Sequence, residues 1–352
     1  MDILGGQAVQ AERLVRHLRK EPSLQVGFLP INPRLPGILR RLQSIKYIRT
    51  LTTSLLYWVN LLREVRKYDV IHIFSASYLS FLIAPTPAIL TAKLYRKKII
   101  LNYHSGEAED HLKRWRRSTV PALKRVDAVI VPSEYLVRVF REFGIVASAI
   151  FNIVELDKFS YRERPDVRPR FLSNRNLEPH YGVDCVLRAF AIIQKQVPEA
   201  VLTIVGDGSQ RSALEDLKRQ LNLRQTSFLG RVQHDKVYEL YSTSDIFLNA
   251  SKIDNQPLSI LEAFACGLPV VTTDAGGIPD IVTDGESGLV VAVGDCDALA
   301  QRSIELLNDH HLAMILAQRA FLECERYTWQ VVCHEWLDLY HNLGAKAPSR
   351  NV

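Results

Sequence analysis

Two acidic side chains, Asp254 and Glu262, stand eight positions apart in Asp254-Asn-Gln-Pro-Leu-Ser-Ile-Leu-Glu262-Ala-Phe-Ala-Cys-Gly-Leu-Pro269. Pro257 suits the first turn of a helix, and Gly267-Leu-Pro269 suits its end. A helix over about 257–266 leaves Asp254 in the preceding loop and sets Glu262 along one face. Such a pair can grip hydroxyls at opposite ends of one ligand. An ionised carboxylate accepts two ribose hydroxyls well. Directly downstream, Thr273-Asp-Ala-Gly-Gly-Ile-Pro279 sets Gly276 and Gly277 at an expected strand-to-helix turn. Glycine lets backbone N–H groups approach an anion, and a helix start adds positive potential. A diphosphate fits that description. Together the two segments suit a nucleoside diphosphate that carries a sugar.

These groups need a scaffold. Apolar runs with many β-branched residues at 69–74, 98–103 and 127–132 predict strands buried on both faces. Further runs at 170–173, 200–205, 226–229, 245–249, 269–272 and 288–291 repeat the rhythm. Helical segments lie between them; Val183, Val186, Leu187, Phe190 and Ile193, for example, make one stripe. Alternation of this kind predicts an α/β chain of two domains with parallel sheets. Residues 155–169 are charged, contain proline and show no period, so they read as a linker. The expected parts are a domain over 1–154, the linker, a domain over 170–327, and a last helix over 328–345. Trp329, Val332, Trp336, Leu339 and Tyr340 give that helix an apolar stripe that must dock. Gly5 and Gly6 open a helix with only four residues before them, so most of a first strand is expected to be missing.

From these residues onward the chain resembles the family 4 glycosyltransferases, a retaining group of GT-B fold, over essentially its whole length. The resemblance implies two Rossmann-like domains facing across a cleft, with the last helix crossing back to the first. It implies that Glu262 binds the nucleotide ribose. Asp254, where the family usually has Glu, touches the donor sugar with a reach one methylene shorter. Arg175 matches an arginine on the donor diphosphate. Its usual lysine companion, six residues on, is replaced by Tyr181, which offers a hydrogen bond but no charge; His180 compensates only if protonated. His104, at a strand end, matches a histidine near the donor sugar, and Asp254, Arg175 and His104 form the expected catalytic set. Gly5 and Gly6 match a glycine loop near the donor phosphate. Gly230 and Arg231 are expected to line the base pocket, and Leu258 and Ser259 complete the donor-binding set.

The resemblance implies no metal and no cofactor. The substrates are a UDP- or GDP-sugar donor and a glycan, lipid-linked or small acceptor. No protein nucleophile is evident, which agrees with front-face retention of configuration. Two alternatives stay open: a catalytically impaired binder or scaffold, and a sugar-nucleotide epimerase.

Other residues invite less chemistry. Gly206 and Gly208 read as a tight turn without ligand contact. His72, inside a strand, reads as a satisfied core histidine. Glu107, Glu109, Asp110 and His111 could contact acceptor hydroxyls or complement a helix dipole, the second reading being preferred for Glu109 and Asp110.

The 352 residues are 47% hydrophobic, which suits a globular protein with real cores. The run 78–92 is short for a bilayer and holds Pro85 and Pro87, so it reads as a buried helix with a broken middle. No secretory signal is evident, and a cytoplasmic protein, peripheral at the inner membrane face, is expected. Five scattered cysteines lack metal-like spacing and are expected to be reduced thiols. The net charge is +6, but residues 1–160 alone carry 25 Lys and Arg against 13 Asp and Glu, a net +12. The groups Arg40, Arg41, Lys46, Arg49 and Arg114, Arg116, Arg117 suggest an anionic partner such as a membrane surface, although solvated helix faces explain them equally. No motif supports nucleic acid.

Overall fold

The computed structural model describes residues 6–33, 46–75 and 77–344, with 46–48 and 234–235 described by backbone alone. The chain divides into two compact units, residues 1–151 with 333–352, and residues 152–332.

In the first unit, α1 (Gly6–Leu18) and α2 (Lys46–Glu64) precede β1 (Val70–Ser75). The expected broken helix follows as α3 (Tyr78–Ile83) and α4 (Pro85–Leu94), with Pro85 opening the second piece. Phe81, Ala88, Ile89 and Ala92 are buried, whereas Leu79 and Leu90 are exposed, so the pair is amphipathic rather than wholly buried. Next come β2 (Lys98–Tyr103), α5 (Ala108–Arg114), α6 (Arg116–Leu123), β3 (Ala128–Val131), α7 (Glu134–Glu142) and β4 (Ser148–Ala149). The strands lie in order β1-β2-β3-β4, all parallel. Ser148–Ala149 was not foreseen. Two residues are too few to show an alternation, and only pairing with β3 defines them. Ile99, Ile100 and Leu101 are fully buried, as a central parallel strand requires.

The second unit holds β5 (Arg170–Asn174), α8 (Val183–Gln196), β6 (Val201–Val205), α9 (Arg211–Gln220), β7 (Thr226–Gly230), α10 (His234–Thr243), β8 (Ile246–Leu248) and α11 (Leu258–Ala265). It continues with β9 (Val270–Thr273), β10 (Leu289–Val291), α12 (Cys296–Asn308) and α13 (His310–Glu323). Its sheet order is β10-β9-β8-β5-β6-β7, again all parallel. Asp295 and Asp309 cap α12 and α13 by accepting from Ala298 N and Leu312 N, which satisfies otherwise orphaned donors.

The segment 155–169 contains no strand, yet it is not a free tether. Arg164 is buried and donates to the carbonyls of Arg162, Tyr241, Ser244, Cys266 and Gly267. Phe159 and Val167 are buried beside it. A buried guanidinium whose donors meet carbonyls holds backbone strongly, because none of those groups can turn to water. The segment is therefore bound into the second unit.

The last helix, α14 (Trp329–Asn342), contributes its residues from 333 onward to the first unit. Trp336 stacks on His72 with centroids 5.1 Å apart, and Tyr340 Oη lies 2.6 Å from His72 Nδ1. His72 is thus a structural histidine. Burial pushes its pKa down to about 3, with His104 adding to the shift.

The expectation of five reduced thiols is corrected at one pair. Cys185, in the first turn of α8, and Cys296, at the start of α12, form a disulfide with Cα atoms 5.2 Å apart. The two helices pack together and bring residues 111 positions apart into bonding range. Cys266, Cys324 and Cys333 remain thiols.

Candidate functional site

The chain leaves β5 for β6 and β7 on one side of the second sheet and fills the other side with β8, β9 and β10. The strand order therefore reverses between β5 and β8. Loops at the carboxyl ends of two such strands separate there and leave a crevice, which is where open α/β sheets bind ligands. Arg175 is the first residue after β5, and Asp254 lies in the loop after β8.

These two side chains are ion-paired, Arg175 Nη2 donating to Asp254 Oδ2, with side-chain exposures of only 10% and 11%. Asp254 also accepts from Asn255 N at 2.9 Å through its other oxygen. The Ser251 hydroxyl lies 3.0 Å from Asp254 Oδ2 and 2.8 Å from Asn249 Oδ1, and can donate to one of them at a time. Arg175 Nη1 lies 3.2 Å from Ser259 Oγ at the start of α11. Its guanidinium carbon sits 4.1 Å from the centroid of the Tyr181 ring. Arg175 is thus fixed on three sides, by a carboxylate, a hydroxyl and an aromatic face. Its Nε is buried with no hydrogen-bond partner among the described residues.

Glu262 lies one helical turn beyond Ser259 and is buried. Its Oε2 accepts from Tyr241 Oη at 3.1 Å. The same hydroxyl lies 3.2 Å from the Ser259 carbonyl and accepts from Asn174 Nδ2 at 3.0 Å. Burial, then the Glu262 charge, raise the Tyr241 pKa well above its ordinary value, so this phenol stays a donor. Tyr241 joins the end of β5 to α11. Arg164 holds the carbonyls of Tyr241 and Cys266, so it fixes the ends of α10 and α11 that carry Tyr241 and Glu262. Burial lowers its pKa only to about 10, which leaves it charged at neutral pH. Sequence reasoning passed over Tyr241, Asn174 and Arg164. Tyr241 falls on an amphipathic helix and Arg164 in a charged, aperiodic stretch, and neither context carries a signal.

The glycines divide by role. Gly276 has φ +52°, a conformation that favours glycine. The Gly277 N–H donates to the Asp254 carbonyl at 3.2 Å. Gly277 therefore ties its turn to the Asp254 loop, which withdraws one of the two N–H groups assigned to an anion. The expected helix start after the pair is a single 3-10 turn, Ile278–Asp280, so the dipole contribution assigned to it is corrected to a small one. Gly206 has φ +126°, and a Cβ there would lie 2.0 Å from the Arg175 carbonyl oxygen. Gly208 would meet the Leu177 carbonyl at 2.4 Å. Both let the turn after β6 press against the Arg175 loop, a structural task. Gly182, beside Tyr181, would meet the Ala250 carbonyl at 1.8 Å. Gly230 ends β7 with φ +71°, and Arg231 follows it, exposed. Leu258 opens α11.

In the first unit, His104 follows the last residue of β2. Its ring stacks on Phe74 with centroids 5.6 Å apart, and Nε2 is buried with no hydrogen-bond partner among the described residues. Burial lowers its pKa to about 4, so the imidazole is neutral at pH 7. Gly6 opens α1, and Gln7 Nε2 donates to the Ser75 carbonyl at 2.7 Å, setting that helix start at the carboxyl end of β1. Gly5 lies outside the described residues, as do Arg40 and Arg41. His111 is corrected to a core residue. It is fully buried, with Nδ1 2.9 Å from Tyr103 Oη and Nε2 3.2 Å from Thr119 Oγ1. Glu109 pairs with Lys113, and Asp110 pairs with Arg114 and accepts from Tyr78 Oη. Both acids stand in the first turn of α5, where they can complement its dipole, and the ion pairs are an addition to that reading. Arg116 and Arg117 are exposed.

Two family profiles match consecutive parts of the chain: Glycosyltransferase Family 4 over residues 4–158 and Glycosyl transferases group 1 over residues 157–322. Among similar curated proteins, a sulfoquinovosyl transferase of Arabidopsis thaliana is 26% identical over 81% of this chain and 59% of its own length. A GDP-mannose-dependent monoacylated alpha-(1-6)-phosphatidylinositol monomannoside mannosyltransferase of Corynebacterium glutamicum is 29% identical over 67% of this chain and 68% of its own. The chain thus spans less than two thirds of the plant relative. Among solved structures, sucrose-phosphate synthase from Thermosynechococcus elongatus superposes with a TM-score of 0.74 at 19% identity, covering 96% of this chain and 94% of that one. Anabaena HepE in complex with UDP-glucose gives 0.71 at 19%, covering 81% and 82%. At these identities the structures speak for the fold alone, and it is that of the GT-B enzymes.

Proposed function

The chain belongs to the family 4 glycosyltransferases, and on that premise we propose that it is a retaining hexosyltransferase using a UDP- or GDP-sugar. The observation that carries the proposal is the Arg175–Asp254 pair at the strand-order reversal, with buried Glu262 one turn beyond the serine that Arg175 touches. In the proposed step, the bond from the sugar C1 to the diphosphate oxygen breaks. The acceptor oxygen bonds C1 from the same face, and its proton passes to a phosphate oxygen of the leaving group. Arg175 meets the charge that develops on that group. Asp254, held by Arg175 and Asn255, accepts from a donor-sugar hydroxyl. Glu262 accepts from the ribose. His104, in the first unit, is a neutral imidazole and enters no step as a cation.

No metal or cofactor enters the proposal, because a guanidinium can supply the positive charge the leaving group needs. Turnover should therefore survive chelation by EDTA. The relatives' names favour transfer over epimerisation or a scaffold role. The phosphatidylinositol mannoside in one of them supports a lipid-linked acceptor.

A panel of nucleotides and nucleotide sugars in a thermal-shift assay tests the reading, since a ligand of the native state raises the melting temperature with its affinity. A shift with a UDP- or GDP-sugar, reduced in Glu262→Ala, is expected. No shift with any member of the panel would overturn the donor assignment.

A further inference from the structure

The Cys185–Cys296 disulfide borders a hollow that shares no lining residue with the donor site. Cys185, in the first turn of α8, is 2% exposed, whereas Cys296, the first residue of α12, is half-buried. Cys296 lines the hollow, whose volume of about 460 Å³ falls within the range of small-molecule sites. Its Sγ lies 3.5 Å from the carbonyl of Gly294, which lines the same hollow. A nucleophile arriving there meets the Cys296 sulfur, with the buried Cys185 sulfur behind it. That asymmetry fixes which sulfur is attacked and which departs.

The charges around the hollow say which nucleophile fits. Arg188 and Lys195 stand two turns apart on one face of α8, about 10 Å along its axis. Both line the hollow, and neither has a hydrogen-bond or ion-pair partner among the described residues. Asp295 and Asp297, at the start of α12, line it too. Asp297 is likewise unpaired among the described residues, and Asp295 spends one oxygen on the Ala298 N–H. Ile192, between the two cations, and Leu221 add apolar wall. Cations and carboxylates around an apolar patch suit a zwitterion, its carboxylate on the guanidinium or ammonium and its own ammonium on an aspartate.

We propose that Cys296 is a thiol–disulfide exchange site for an amino-acid or peptide thiol seated by Arg188, Lys195 and Asp297. The thiolate sulfur bonds Cys296 Sγ as the Cys185–Cys296 bond breaks. The bonding pair leaves on Cys185 Sγ, and the proton that the incoming thiol gave up reaches that sulfur through water. One thiol and one disulfide become one mixed disulfide and one thiol, with no further oxidant or reductant. The amino end of α8 favours negative charge on the departing sulfur, and the neighbouring Asp184 is paired with Lys252 at 3.3 Å. Exchange unties α12 from α8, so the modified chain should melt lower than the untreated one. The inference uses no residue of the donor site, so it can fail while the transferase reading stands.

The test treats the full chain, purified without reductant, with glutathione. Acid stops the exchange, and mass spectrometry maps both cysteines. A glutathionyl group on Cys296 and a thiol on Cys185 are expected. In Cys185→Ala, glutathione disulfide should modify Cys296. In Cys296→Ala, the buried Cys185 should react at least about tenfold more slowly. Arg188→Gln with Lys195→Gln should slow exchange with glutathione by about fivefold. At equal thiolate it should leave exchange with 2-mercaptoethanol, an uncharged thiol, unchanged. Asp297→Asn should slow glutathione and not 3-mercaptopropionate, which has no amine. These charge variants should keep the melting temperature, since the altered side chains are exposed. A glutathionyl group on Cys185 in place of Cys296 overturns the proposal, as does a chain that exchanges with no thiol. A charge variant that treats its two thiols alike also overturns it, by leaving the hollow no part in choosing the thiol.

Discussion

The guanidinium of Arg175 lies over the ring of Tyr181, 4.1 Å from its centroid, at the place where the family resemblance expects a second cation. A lysine there would add charge. The tyrosine instead orients the charge already present, since a planar cation over an aromatic face loses rotational freedom and gains some attraction.

Arg175→Ala should lower turnover by about 10²–10³-fold, the usual cost of losing one charge-stabilising donor. Arg175→Lys should recover little. An ammonium cannot both stack on Tyr181 and hold Asp254 and Ser259 in a fork. Steady-state kinetics on the donor that gives the thermal shift will decide, and full activity in either variant would remove Arg175 from the mechanism.

Tyr241→Phe keeps the ring and deletes the hydroxyl that joins Asn174, Ser259 and Glu262. The expected stability loss is about 1–2 kcal/mol, because partners are left buried and unpaired. The donor KM should rise more than kcat falls, since the change acts through Glu262. Equal effects on both would mean that Tyr241 bears on the transition state directly.

Arg164→Met leaves several buried carbonyls without their donor. A cost of about 3–5 kcal/mol is expected, as for other broken buried charge networks. Denaturant unfolding of the full chain measures it. A loss under about 1 kcal/mol would show that water replaces the guanidinium without penalty.

Thiol titration of the unfolded, unreduced protein should find three groups, Cys266, Cys324 and Cys333. Reduction of Cys185–Cys296 should cost about 2–4 kcal/mol, because the bond restrains the unfolded chain. Five titratable thiols would refute the pair.

His72, His104 and His111 have folded pKa values lowered by burial to about 3, about 4 and about 4. Each is below the unfolded value of about 6.5, so the unfolded chain binds more protons across that interval. Their contribution to stability is complete above about pH 6.5 and is lost as pH falls toward 4. The melting temperature should therefore drop between pH 7 and pH 5. His72→Phe should reduce the slope by up to about 1.4 kcal/mol per pH unit, the contribution of one proton. A slope unchanged by that substitution would mean that His72 is not held neutral.

Much of this molecule is legible along the chain. Nine of the ten strands among the described residues follow from short apolar runs, since a parallel strand buried on both faces has no polar position to hide. Asp254 and Glu262 are legible because their spacing is local to one loop and helix; Arg175 stood out only through the family resemblance. Tyr241, Asn174 and Arg164 are not legible. Each acts on residues far along the chain, and a tyrosine, an asparagine and an arginine are common in ordinary helices, strands and loops.

Sequence alone settled the alternation of strands and helices and the position of the acid pair, consequences of side-chain period and local spacing. The family entered as a resemblance, which the family profiles then matched. Tertiary structure decided how the groups are used. It turned the Gly277 N–H toward the Asp254 carbonyl, seated His111 in the core, joined Cys185 to Cys296, and bound an apparent linker into the second unit through Arg164. The disulfide follows from the packing of two helices, and for the other three the reason is the same. A polar group taken out of water must find its partner, and which partner lies within reach depends on how distant segments pack.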